Sequence, residues 1–197
     1  MLTFAAAVFF LIITPGPGVL STAGVGSAFG ARAGSRYVAG LWIGNNAVAL
    51  AVISGLAAVV LAAPVVRNIL FAASTAYLLY LALRIAAAGS RIAFIEARSA
   101  PGIWNGIALQ AINPKAYAVN TALFSGFSFL PESLAAETML KLLIFNAIWI
   151  PIHFLWLYLG IRLHALNLSP GSHRAINIAM SLSMLAVVAL AVLAFLR

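Results

Sequence analysis

The sequence predicts an all-α integral membrane protein of six transmembrane helices, arranged as two inverted three-helix repeats with broken helices one and four. Three observations carry this. The chain is 64% hydrophobic and only 7% charged, where a soluble domain carries about 25% charged residues to cover its surface. Its apolar runs are long and continuous, as spanning helices require, whereas a membrane barrel would alternate in short strands. Two of those runs are interrupted by proline, at Thr14-Pro15-Gly16-Pro17-Gly18 and at Asn113-Pro114-Lys115.

A span needs about 20 apolar residues, and the segments follow in order. The first runs from Leu2 to about Phe29 and contains the double-proline break. Its apolar start lacks a basic n-region, so it reads as a retained span rather than a signal peptide. The second runs from about Tyr37 to Leu61, before Pro64, and the third from about Val65 to Ala88. A polar connection with Arg91, Glu96, Arg98 and Pro101 separates these from the fourth span, about Ile103 to Leu130. The fifth covers about Met139 to Leu163, with Pro151 inside, and the sixth about Ala175 to Leu196. Residues 1–88 thus form a first repeat, 89–102 a cytoplasmic linker and 103–197 a second repeat.

The doubling rests on spacing. From Pro15 to Asn46 is 31 residues, and from Pro114 to Asn146 is 32. Three spans is an odd number, so the second half lies upside down relative to the first. Inverted repeats with interrupted helices point to a transporter's midplane site. Orientation follows from the basic residues. One side holds Arg32, Arg36, Arg84, Arg91, Arg98, Arg162 and Arg174; the other holds Arg67, Lys141 and Arg197. The richer side is expected to be cytoplasmic, with both termini outside. The net charge of +8 is scattered over loop positions without a basic run, so no nucleic-acid partner is expected. There is no cysteine, and neither a metal nor a cofactor is expected.

Prolines 15, 17 and 114 deprive preceding carbonyls of partners. In hydrocarbon each orphan costs several kcal/mol unless protein or water satisfies it. Such breaks must face a cavity or a packed interior. The half-helices that begin after them present free amides, suited to a carboxylate, and Lys115 adds a full positive charge. The candidate substrate-binding residues are therefore Thr14, Pro15, Gly16, Pro17, Gly18, Asn45, Asn46, Asn113, Pro114, Lys115 and Asn146. Asn146, Trp149, His153 and Trp156 share one face of the fifth span, and His153, the titratable span residue with an ordinary pKa near neutrality, is the candidate for proton coupling. Gln110 and Asn120 are further intramembrane polar residues. Gly26/Gly30, Gly40/Gly44 and Gly102/Gly106 are GxxxG pairs suited to close helix packing. Trp42, Tyr77, Tyr80 and Trp104 read as interface or packing aromatics, and His164 and His173 as loop residues. No Asp occurs, and Glu96, Glu132 and Glu137 lie at loops or ends. A cationic cargo would call for a buried acid, so a zwitterion with a neutral side chain fits better.

In motif order the chain resembles the LysE/RhtB family of bacterial amino-acid exporters, through TPGPG at 14–18, GARAG at 30–34, Ala76-Tyr77-Leu78-Leu79-Tyr80-Leu81 and Asn113-Pro114-Lys115-Ala116. The resemblance covers nearly the whole chain. It implies a six-helix inner-membrane exporter of amino acids or related metabolites, a homodimer driven by the proton gradient, with Pro15, Gly16, Pro17, Asn113, Pro114 and Lys115 as signature positions. Many members carry Asp or Asn after the PGP, where this chain has Gly18. Two other readings compete. One is an intramembrane enzyme built on Ser125-Gly126 and His153. The other is a channel or scaffold, although no acidic ring or carbonyl-rich filter sequence is visible.

Overall fold

The computed structural model describes residues 1–56 and 100–166 continuously, with isolated positions between 63 and 83 and between 169 and 189. Apart from those isolated positions, the expected third and sixth spans lie outside the described residues, as do residues 89–99 of the expected linker. Those described continuously form five helices: α1 (Leu2–Ile13), α2 (Pro17–Ile53), α3 (Ile103–Ile112), α4 (Pro114–Gly126) and α5 (Leu134–Ala165).

Both expected breaks are present, and proline makes both. Thr14 is extended (ψ 128°) before Pro15, and Asn113 is extended (ψ 106°) before Pro114, because a following proline disfavours helical geometry. Each new helix then starts on a proline, Pro17 or Pro114, whose missing amide hydrogen is no loss in the first turn. The bend from α1 to the start of α2 is 53°.

The second span departs from expectation at both ends. The GARAGSR stretch at 30–36 is not a loop. The chain turns its corner at Gly30 alone (φ 75°, ψ −173°) and continues as helix, in a backbone region essentially restricted to glycine. Arg32 and Arg36 therefore lie on the exposed face of α2. At the far end the helix stops at Ile53, where Gly55 takes a positive φ of 76°, rather than running on to Leu61. The fifth span begins earlier than expected, with Ser133 Oγ capping the Ala136 amide.

Among the described residues, two helical segments are long and apolar enough to cross a membrane, Phe29–Ile53 and Leu134–Leu163, or three if the bent pair α1 and early α2 is one span. This is a helical membrane protein. Lipid gives no hydrophobic drive between helices, so close approach and interhelical hydrogen bonds hold them together. α2 lies at the centre, against α5, α3 and α4, while α1 packs on α5 and α4. Glycines permit the approach: a Cβ on Gly40 would meet Ile103 O at 2.0 Å, one on Gly106 would meet Tyr37 O at 2.5 Å, and one on Gly160 would meet Ala23 O at 2.0 Å. Of the expected GxxxG residues, Gly26, Gly40, Gly44 and Gly106 pack this way. Gly30 and Gly102 have nothing within 4 Å; the first is a corner and the second a helix start.

Candidate functional site

The two breaks meet, although 99 residues separate Pro15 from Pro114. Lys115 Nζ donates to Thr14 O at 2.7 Å, so the ammonium satisfies a carbonyl left free where α1 ends. Its stem lies over Gly16, where a Cβ would come within 2.9 Å of Lys115 Cδ; a side chain at 16 and this lysine pose exclude one another. The two helix starts differ. Asn113 Oδ1 accepts from Lys115 N at 3.1 Å and caps α4. Gly16 offers α2 no side chain, and among the described residues nothing accepts from the Gly18 and Val19 amides. Uncapped amides at a helix start attract negative charge.

Around the breaks lies a cavity of about 40 Å³, room for roughly three or four waters at 10–15 Å³ each. Every element contributes to its wall: Leu11 from α1, Gly18 and Asn45 from α2, Gln110 from α3, Lys115 from α4, and Trp149 and His153 from α5. Among the described residues Lys115 is the one charged side chain on that wall. His153 is 3% exposed and stacks on Trp149 with ring centroids 3.4 Å apart. Its Nδ1 lies 2.9 Å from Trp149 O. A carbonyl can only accept, so Nδ1 carries the proton, and Nε2 of the neutral ring is left as an acceptor. Nε2 faces the bare Gly18, 3.4 Å from where a Cβ would stand.

The cavity thus gathers Thr14, Gly16, Gly18, Asn45, Asn113, Lys115 and His153 from the sequence-derived candidates. Pro15, Pro17 and Pro114 shape it without lining it. Asn46 and Asn146 stand elsewhere: each donates Nδ2 to the other's Oδ1 at 3.0 Å, and Trp42 Nε1 adds a bond to Asn146 Oδ1 at 2.6 Å. Their amides join α2 to α5. Trp156, on the same α5 stripe, has a buried Nε1 without a partner. Gln110 belongs to the wall but was not among the candidates. It accepts from Asn113 Nδ2 at 2.9 Å; its place three residues before the break was the available signal. Among the described residues Asn45 Nδ2 is buried without a partner, as is Asn120 Oδ1 beside it, while Asn45 Oδ1 accepts from Asn120 Nδ2.

Ser125 Oγ donates to Thr121 O at 2.5 Å and lies on an exposed face, so it makes no dyad with His153. Glu137 and Lys141, expected at the membrane surface, are buried together at 2.6 Å. Glu137 Oε2 accepts from the Phe129 and Leu130 amides at 2.9 and 2.6 Å, and Lys141 Nζ donates to Phe124 O and Phe127 O. The pair ties down the turn between α4 and α5, where a helix end would otherwise leave polar backbone in an apolar setting.

A helical membrane protein whose interrupted helices meet around a polar hollow, walled by the described helices and holding a lysine, has the construction of a transporter. The chain belongs to the LysE type translocator family, whose model matches residues 9–196. That family comprises transport proteins rather than enzymes. No curated protein and no solved structure matches the chain.

Proposed function

We propose that the protein is a secondary exporter of small amino acids or related zwitterionic metabolites, neutral rather than cationic, across the bacterial inner membrane. The observation that carries this reading is the Lys115–Thr14 bond across the two breaks, on the edge of a shared polar cavity. The cargo carboxylate goes to Lys115 and the uncapped start of α2. At about 40 Å³ the cavity is closed to an amino acid, so binding parts the breaks and draws Lys115 from Thr14 O.

Transport is by alternating access between two inverted three-helix repeats, residues 1–88 and 103–197, joined by a cytoplasmic linker, with six spans and both termini outside. Supporting the repeat is the Asn46–Asn146 pair. Residues at matching offsets from their breaks bond reciprocally, as equivalent groups beside a two-fold axis do. The packing exchanges likewise: α3 lies on α2 as α1 lies on α5. Export is driven by proton exchange, with His153 as the proton-carrying group, and the working unit is a homodimer.

The test is an export screen. Cells loaded with dipeptides of neutral amino acids should release at least one of those amino acids faster when the protein is made, and Lys115→Ala should abolish the difference at equal expression. Equal release with and without the protein across the neutral amino acids rejects the proposal.

A further inference from the structure

The cavity's hydrogen-bonding groups are lopsided, and the imbalance says more about the cargo. Asn45 Nδ2 is buried and unpartnered, the Gly18 and Val19 amides have no acceptor among the described residues, and Lys115 Nζ has protons beyond the one given to Thr14 O. All are donors. Four acceptors described on the wall are engaged: Thr14 O by Lys115, Gln110 Oε1 by Asn113, Asn113 Oδ1 by the Lys115 amide and Asn45 Oδ1 by Asn120. Among the ring and amide side chains described on the wall, His153 Nε2 stays open, left as an acceptor by the Nδ1–Trp149 bond, held in place by the Trp149 stack and facing a residue without a side chain.

We infer that the site takes small monocarboxylates bearing a hydrogen-bond donor on the α carbon, hydroxyl as well as amino, with the carboxylate on the donor cluster and the α-donor on His153 Nε2. Resting on the exporter reading, this names the cargo by its α-substituent and extends it to 2-hydroxy acids. A carboxylate fits a wall carrying one cation and several free donors. An α-hydroxyl or α-amino group satisfies His153 Nε2. An acid without an α-donor leaves that cavity-facing acceptor unmet, and a site built to bond a group discriminates against analogues that lack it. An amine without a carboxylate meets donors and a lysine. Trp149 is the positioning residue, since its carbonyl fixes the tautomer and its ring the plane.

The test uses the full chain in proteoliposomes and follows counterflow of labelled L-alanine or L-leucine, whichever moves, against matched competitors. The 2-hydroxy acid should inhibit within about tenfold of the unlabelled amino acid, and the unsubstituted acid and the amine should each need at least about 100-fold more. His153→Gln, which keeps a neutral acceptor, should retain the ranking. His153→Leu should bring the unsubstituted acid to within about tenfold of the hydroxy acid. Should His153→Leu fail to fold, the wild-type and His153→Gln rankings decide. An unsubstituted acid that competes with wild type as well as its hydroxy analogue overturns the inference alone, as does an unchanged ranking in folded His153→Leu. Absence of counterflow for both amino acids and for lactate overturns the exporter reading with it.

Discussion

Lys115→Met removes the ammonium that joins the two breaks and keeps a side chain of similar length. In the native protein this ammonium holds Thr14 O at 2.7 Å. A hydrogen bond to a charged group contributes about 1.5–3 kcal/mol. At 1.4 kcal/mol per factor of ten, its loss shifts the balance between joined and parted breaks by roughly 10- to 100-fold. Thr14 is exposed, and water replacing the lysine recovers part of that, so about tenfold is the expected shift. The chain has no cysteine, which supplies a clean reporter. Ala116 lines the cavity and is 5% exposed; as Ala116→Cys it should react with a maleimide about tenfold faster when Lys115→Met is added. Export should fall to background in Lys115→Met while the protein elutes as a single folded species from size exclusion. Equal labelling rates combined with normal flux would refute the reasoning, since neither the closed breaks nor the cargo would then depend on the ammonium.

Three further outcomes follow from the packing. Gly40→Ala places a Cβ 2.0 Å from Ile103 O and should lower stability in detergent by about 1–3 kcal/mol, whereas Gly126→Ala, with nothing within 4 Å, should change it by less than about 0.5 kcal/mol; similar melting shifts for both would show that α2 and α3 do not approach as described. A double-mutant cycle over Asn46→Ala and Asn146→Ala should give a coupling of about 0.6 kcal/mol, reaching at most about 1.7, and strict additivity would mean that the amide pair does not form in the membrane. Glu137→Gln or Lys141→Met alone should destabilise more than both together, because each single change leaves a polar partner uncompensated; a double variant less stable than either single one would contradict the burial of that ion pair.

Helical membrane class, the two breaks and the polar residues beside them were legible in the sequence. Those features are local. Proline acts on its own φ, its missing amide hydrogen and its immediate neighbours, and apolar runs report the solvent around them. The GxxxG spacing was a weaker guide: Gly40 and Gly106 seat a neighbouring backbone, but Gly30 has the same spacing and is a corner. A glycine's sequence neighbours do not say whether another helix approaches it or the chain bends there.

The sequence by itself determined that this chain lives in lipid as helices and that two of them are interrupted, since composition and proline chemistry act without reference to distant residues. Only the tertiary structure decided which polar groups share a cavity. Asn45 and Asn46 are adjacent in the chain, yet one lines the hollow and the other clasps Asn146 across α5. On a helix consecutive residues point about 100° apart, and the partner each meets is set by the packing of helices far away in sequence. For the same reason Glu137 and Lys141, which read as surface charges, are buried as a pair.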